Sequence, residues 1–181
     1  MKNTMLKTIG TMALAILMLT MFTQISVFAQ ELITEETSDE QTQEEDAATR
    51  RSNSRRLEGS WNHQVSRLNC ATGAVLGTFQ AMFTFNGGGT FWEAGTNTSP
   101  TLRSSSHGLW SYDSNRRYTT SFQFFRFNAD GTHAGRQIVR QQIRLSNDGN
   151  SYTATATAQV LNAAGNVIAN NCSAGTATRF E

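Results

Sequence analysis

The sequence predicts an all-β domain, an eight-stranded antiparallel up-and-down β-barrel, over residues 57–181. Three observations predict it. Apolar and polar residues alternate with a period of two over short runs, as they do from Phe79 to Phe85. Turn-forming segments such as "NGGG", "NADG" and "NDGN" separate these runs at even spacing. No segment of this region keeps a helical period over three turns.

The strands follow from these signals in chain order. The first opens at "LEGSWN", and the second is the alternating phenylalanine run, which "NGGG" turns into the short strand "TFWEA". The longest loop, "GTNTSPTLRSSS", contains the only proline and leads to "HGLWSY". An aromatic strand, an alternating Val/Ile/Leu and Arg/Gln strand, a Thr/Ala strand and a C-terminal strand complete the set. The predicted bounds are 58–69, 76–86, 89–94, 107–112, 117–128, 135–146, 150–162 and 166–179.

Even spacing with hairpin turns is typical of an antiparallel sandwich or an up-and-down barrel. In neighbouring antiparallel strands the numbers of paired residues have a constant sum. Trp61 with Arg179 gives 240 and Cys70 with Cys172 gives 242, which is one register step away. The first and last strands are therefore predicted to pair and close the barrel. Eight strands enclose a lumen that side chains fill or that holds one small ligand.

The residues before the barrel divide into two segments. Residues 1–29 are predicted to be a secretory signal peptide, with Lys2 and Lys7 before a short apolar run and Val27 and Ala29 at the cleavage site. A retained membrane anchor is the alternative. Residues 30–56 carry eight acids and then four arginines, and are predicted to be a disordered tether. The tether is either a solvated leader or a segment that contacts a charged cell surface. The protein is expected to be secreted or periplasmic, without a stable membrane span after cleavage.

The cysteines and the charged residues limit the cofactors and partners that the sequence predicts. Cys70 and Cys172 are predicted to form a disulfide in an oxidising compartment, with two free thiols as the alternative. No metal-binding spacing is present, and neither a metal nor another cofactor is predicted. The barrel region has nine arginines against six acids. These arginines form no basic run with interleaved aromatic residues, so nucleic acid is not a predicted partner. The sequence does not indicate an oligomeric state.

Gly59-Ser60-Trp61 near the start of the first strand, with Arg179 at the end of the last, resembles the lipocalin and wider calycin pattern. The resemblance implies a small exported bacterial-type member in which the tryptophan closes the barrel floor and the arginine lies across its ring, a cation–π contact. The glycine lets the chain bend where it enters the barrel. The chain departs from the pattern because it has no Thr-Asp-Tyr-type motif and no helix after the last strand.

Alternation places one set of residues inside the barrel. This set has a bank of aromatic rings facing three alanines, which fits either a filled taper or a lumen with room for a small hydrophobic ligand. The candidate lumen residues are Phe79, Phe83, Phe85, Phe91, Trp110, Phe122, Phe124, Ile143, Ala154, Ala156 and Ala158.

No catalytic residue is predicted. The best acid–base constellation is His107 beside Ser104 to Ser106, with Glu93 or Asp113 nearby in sequence. The alternative is that all three histidines, at 63, 107 and 133, lie on the surface. Three arginines fall on predicted strands: Arg126, Arg140 and Arg144. They are expected to lie on the outer face. If one of them points inward, it is expected to bind a carboxylate head group.

The sequence therefore favours an exported lipocalin-like barrel that binds a small apolar or fatty molecule in its lumen. One alternative is a barrel enzyme of the allene-oxide-cyclase or dirigent type acting on an apolar substrate. The other is a surface interaction module with a filled core and an exposed apolar patch.

Overall fold

A computed structural model describes residues 46–180, so the predicted signal peptide and most of the tether lie outside the described residues. The described residues contain a closed antiparallel barrel in which each strand pairs with its neighbours in chain order, and the last strand pairs with the first. All eight predicted strands are confirmed, with every boundary within two residues. The strands are β1 Gly59–Leu68, β2 Val75–Phe85, β3 Thr90–Gly95, β4 Ser106–Ser114, β5 Arg117–Phe127, β6 His133–Leu145, β7 Ser151–Leu161 and β8 Val167–Arg179.

The closure of the barrel follows the predicted register. β1 pairs with β8 from Trp61 opposite Arg179 to Leu68 opposite Cys172, with a constant sum of 240. Cys70 and Cys172 form a disulfide with their Cα atoms 5.2 Å apart, two residues beyond the last paired position of β1. The disulfide is therefore diagonal, because Cys172 is paired with Leu68 but bonded to Cys70, two positions further along the chain. This offset accounts for the difference between the sums 240 and 242. Closure leaves neither β1 nor β8 as an unpaired edge strand.

Trp61 and Arg179 meet at one end of the barrel, here termed the floor. Trp61 is fully buried, and the guanidinium carbon of Arg179 lies 4.2 Å from the centroid of its ring. Arg179 Nη1 donates to the carbonyl of Glu58 at 2.6 Å and Nη2 to that of Arg56 at 2.7 Å. Gly59 has φ +118°, and a Cβ there would lie 2.8 Å from Arg179 Nη1. This position therefore requires glycine both for its backbone angle and for the closeness of the arginine.

Residues 46–55 are helical in the structure, although the sequence predicts disorder up to residue 56. The end of the helix is held by the barrel: the Tyr118 hydroxyl donates to the carbonyl of Asn53 at 2.6 Å. Leu57, two residues after the end of the helix, is fully buried. These contacts tie Asn53 and Leu57 to the barrel, which composition alone does not reveal.

The core is filled unevenly along the barrel axis. Its lower half, next to the floor, is packed with large side chains that are at most 2% exposed. Phe85 lies 5.0 Å from Phe91 and 5.9 Å from Trp110 between ring centroids. The upper half, towards the disulfide, contains smaller residues and an open volume. The fully packed lower half comprises Leu57, Trp61, Phe85, Tyr118, Ile143 and Leu145.

Candidate functional site

A cavity of about 190 Å³ occupies the upper half of the lumen. Aromatic rings from β2 and β5 form one part of its wall and the small side chains of β7 form another. The predicted lumen residues that line it are Phe79, Phe83, Phe122, Phe124, Ala154, Ala156 and Ala158. The other predicted lumen residues are buried but do not line this cavity: Phe85, Phe91, Trp110 and Ile143. The alanines of β7 leave room where the lower half has large side chains on every side.

The size of the cavity limits what it can hold. An apolar cavity of about 150 Å³ is large enough to bind benzene. The cavity of about 190 Å³ therefore suits a molecule somewhat larger than benzene. Its upper end is bordered by Leu76, Asn97 and Cys172, next to the loops that join the strands at that end.

A buried ion pair stands at the upper side of this cavity. Glu93 points inward from β3, and Arg103 reaches it from the loop between β3 and β4, with 2.6 Å between Arg103 Nη2 and Glu93 Oε2. Their side chains are only 7% and 4% exposed for Arg103 and Glu93 respectively. The Ser106 hydroxyl donates to the same carboxylate oxygen. The guanidinium carbon of Arg103 also lies 3.8 Å from the centroid of the Phe124 ring, a cation–π contact.

The backbone next to Arg103 is tied to β5, which holds the side chain over the lumen. The amide of Ser104 donates to the carbonyl of Phe125 at 3.0 Å. The amide of Phe125 donates to Ser104 Oγ, also at 3.0 Å. The sequence does not indicate a role for Arg103, because a loop without periodicity gives no indication of the direction of its side chains. Its only signal is its place in the proline-containing loop next to a serine run.

His63 and Tyr152 form a second buried polar pair inside the barrel. The Tyr152 hydroxyl lies 3.2 Å from His63 Nδ1, and the His63 ring meets the edge of Phe83 with centroids 4.4 Å apart. His63 is 3% exposed, and its Nε2 has no hydrogen-bond partner among the described residues. Burial lowers the pKa of His63 to about 4 and raises that of Tyr152 well above its usual value. The hypothesis that all three histidines lie on the surface is wrong for His63, because it shares the inward face of β1 with Trp61.

Gly175 on β8 makes room for the histidine. A Cβ at this position would collide with His63 Nε2 and would lie 2.7 Å from the carbonyl oxygen of Gln64. Gly175 pairs with Val65 across the β1–β8 seam, so its position faces the lumen. The absence of a side chain here is therefore what allows an imidazole ring inside the barrel.

Gln141 and Thr120 add two more buried polar side chains. Thr120 Oγ1 donates to Gln141 Oε1 at 3.2 Å. Gln141 lines the cavity and is 6% exposed. Gln141 is not among the predicted lumen residues, although the alternation along β6 indicates that it points inward.

The structure does not bring the candidate acid–base constellation together. His107 is exposed and lies beside Trp92 on the outer face, with ring centroids 6.0 Å apart, whereas Glu93 is buried inside. Adjacent positions on a strand point to opposite faces, so Glu93 and Ser106 face inward while Trp92 and His107 face outward. Asp113 and His133 are also exposed. Arg140 and Arg144 are exposed on the outer face, as predicted, and Arg126 is partly exposed.

The buried histidine predicts a pH dependence of stability. The folded-state pKa of His63 is about 4, below the usual value of 6.5, so the unfolded chain binds the proton more readily. The contribution of neutral His63 is therefore fully present above pH 6.5. It decreases as the pH falls from 6.5 to about 4, by about 3 kcal/mol in all. Urea unfolding measured across this range checks it, and His63→Phe should flatten the curve in this window. An equally steep curve in that variant would contradict the assignment.

Among residues 46–180, no helix has the length and apolarity needed to cross a membrane. The same part of the chain contains no cluster of three or more side chains suited to holding a metal ion.

Comparisons with known proteins give one distant likeness. No family model matches the chain, and no curated protein matches it. The chain is similar to the solved structure of the S-type phycobiliprotein lyase CPES from Guillardia theta, with 10% sequence identity. The likeness covers 70% of this chain and 89% of that chain, with a TM-score of 0.37.

Proposed function

We propose that this protein is an exported, lipocalin-like binding protein that holds a small hydrophobic molecule in the upper half of its barrel. The observation that carries the proposal is the cavity of about 190 Å³ between the phenylalanines of β2 and β5 and the alanines of β7. A well-packed barrel floor beneath it shows that the volume is confined to one end of the lumen.

The lining of the cavity supports a ligand rather than bulk water. Ligand sites are mostly apolar, with a few polar groups that orient the bound molecule. Here the phenylalanines and alanines supply the apolar wall, and Gln141, Arg103 and His63 supply the polar groups. A molecule with an apolar body and one hydrogen-bonding group is the best match to this arrangement.

Export and family membership are part of the same proposal. The Cys70–Cys172 disulfide supports an oxidising compartment, because structural disulfides persist outside the cytosol. Together with the predicted signal peptide over residues 1–29, it favours a secreted or periplasmic protein. The Trp61–Arg179 contact at the floor supports membership of the calycin superfamily.

A surface interaction module is the second candidate, and one observation favours it. Three large apolar side chains project from the outer face of β2, β3 and β4: Met82 at 57%, Trp92 at 52% and Leu109 at 66% exposure. Such a patch is typical of a contact surface. The filled core that this hypothesis also expects is not found in the upper lumen. Convergence of Glu93 and His107 inside the lumen would have favoured the barrel-enzyme alternative, but the two side chains lie on opposite faces of the sheet.

The ligand proposal is tested by filling the cavity. We expect Ala156→Phe to occupy the space and to abolish binding of a neutral probe, 4-propylbenzyl alcohol, measured by calorimetry on the purified full chain. The matched control is Thr155→Phe, since Thr155 is the preceding residue on β7 and is exposed on the outer face. This control should bind like the wild type. Binding that survives in Ala156→Phe, or no binding by the wild type, would refute the lumen site.

A further inference from the structure

We propose that the lumen selects uncharged ligands and excludes carboxylates of the same shape, because the buried cation Arg103, among the described residues that line it, is already paired. This inference rests on the proposed function and names the chemical class of the ligand. Alcohols, amides and carbonyl compounds are expected to bind, whereas the corresponding fatty and aromatic acids are not. The sequence is compatible with either an apolar or a fatty ligand, and the charges inside the barrel distinguish the two.

The charged side chains that line the cavity among the described residues are Glu93, Arg103 and Arg67. Glu93 and Arg103 form the buried ion pair, so their charges cancel within the lumen. Arg67 is exposed on β1, near the upper end, where water weakens its field. The nearby imidazole of His63 is neutral at pH 7, because burial lowers its pKa to about 4. The enclosed part of the cavity therefore has no net charge to offset that of a ligand.

The geometry of the ion pair makes it a poor receptor for an anion. Arg103 Nη2 donates to both Glu93 Oε2 and Ser106 Oγ, at 2.6 and 3.0 Å. Arg103 Nε donates to the carbonyl of Ser104 at 3.2 Å. A carboxylate that approached Arg103 would have to displace Glu93 or lie beside its negative charge. Both arrangements cost free energy, because a buried anion without its own cation is strongly disfavoured.

An uncharged polar group does not meet this obstacle. The Gln141 oxygen accepts from Thr120, and the structure shows no acceptor for the Gln141 amide nitrogen among residues 46–180. Arg103 Nη1 likewise has no acceptor in the described part of the chain. Both side chains line the cavity. A hydroxyl or carbonyl oxygen of the ligand can accept from either nitrogen without disturbing the ion pair. The class that fits is an uncharged molecule of about the size of a substituted benzene with one such oxygen.

The test compares two probes of matched shape, 4-propylbenzyl alcohol and 4-propylbenzoate, on the full chain at pH 7. We expect the wild type to bind the alcohol at least about tenfold more tightly than the ionised acid. Equal or tighter binding of the benzoate would overturn the inference while leaving the lumen site intact. If neither probe binds, the proposed function itself fails, and the inference fails with it.

Two variants locate the source of the selectivity. Glu93→Gln keeps the shape of the side chain and leaves Arg103 without its carboxylate partner, so we expect the ratio of benzoate affinity to alcohol affinity to rise at least about tenfold. An unchanged ratio in the folded variant would overturn the inference. Arg67→Gln should leave the ratio unchanged, and a wild-type benzoate affinity that depends on Arg67 would also overturn it. If Glu93→Gln does not fold, the wild-type ratio and the Arg67→Gln result still decide the question.

Discussion

Trp61→Ala is expected to lower the free energy of unfolding by about 3–5 kcal/mol, the cost of truncating a large buried aromatic side chain. Trp61 is completely buried, its ring lies 4.9 Å from that of Tyr152, and its Nε1 donates to the carbonyl of Leu57 at 3.0 Å. The substitution removes the surface on which Arg179 stacks and leaves the Leu57 carbonyl without its donor. It therefore weakens the floor and the β1–β8 seam together.

Trp92→Ala is the matched control, because Trp92 is on the outer face and is 52% exposed. The same chemical change there should cost about 1 kcal/mol or less, since surface substitutions away from special features have small effects. Urea unfolding of both variants gives the comparison. If the two variants lose similar stability, Trp61 does not hold the barrel closed in the way that the structure indicates.

Loss of the disulfide is expected to have the second large effect. Cys70 and Cys172 are 102 residues apart in the sequence, and the bond joins β8 to the chain just after β1 at the upper end of the barrel. The bond restricts the unfolded chain, and removing such a bond from a small secreted domain typically costs about 2–5 kcal/mol. The double variant Cys70→Ser, Cys172→Ser and the reduced wild type should both melt at a lower temperature than the oxidised protein.

The measurement is the thermal midpoint with and without a thiol reductant. The double variant is the control, since its midpoint should not respond to the reductant. A wild-type midpoint that does not change on verified reduction would show that strand pairing and the floor alone determine stability. The expected drop in the thermal midpoint is large because the disulfide closes a long loop. A disulfide between residues close together in the sequence would restrict the unfolded chain less.

The strand pattern could be predicted almost completely from the sequence. Alternation with a period of two and turns such as "NGGG" are properties of neighbouring residues, so they report strands without knowledge of the rest of the fold. The pairing of β1 with β8 could also be predicted, because Trp61, Arg179 and the two cysteines mark nearly the same register from opposite ends.

The candidate site could be predicted only in part. Alternation correctly places Phe83, Phe122 and Ala156 inside the barrel, and the same rule separates Glu93 from His107 when it is applied to both strands. His63 was missed because a histidine on a strand is more often near the surface. Nothing in the local sequence around Gly175 indicates that this glycine makes room for the imidazole ring across the seam.

The sequence by itself determined the class of fold, the eight strands, the seam and the identity of most inward residues. Only the tertiary structure decided that the lower lumen is filled while the upper lumen is open, that Arg103 reaches back to Glu93, and that Asn53, near the end of a helix, accepts a hydrogen bond from Tyr118. The physical reason is the range of the interactions. Strand alternation depends on adjacent residues, whereas a cavity or a loop side chain depends on the packing of residues from several strands at once.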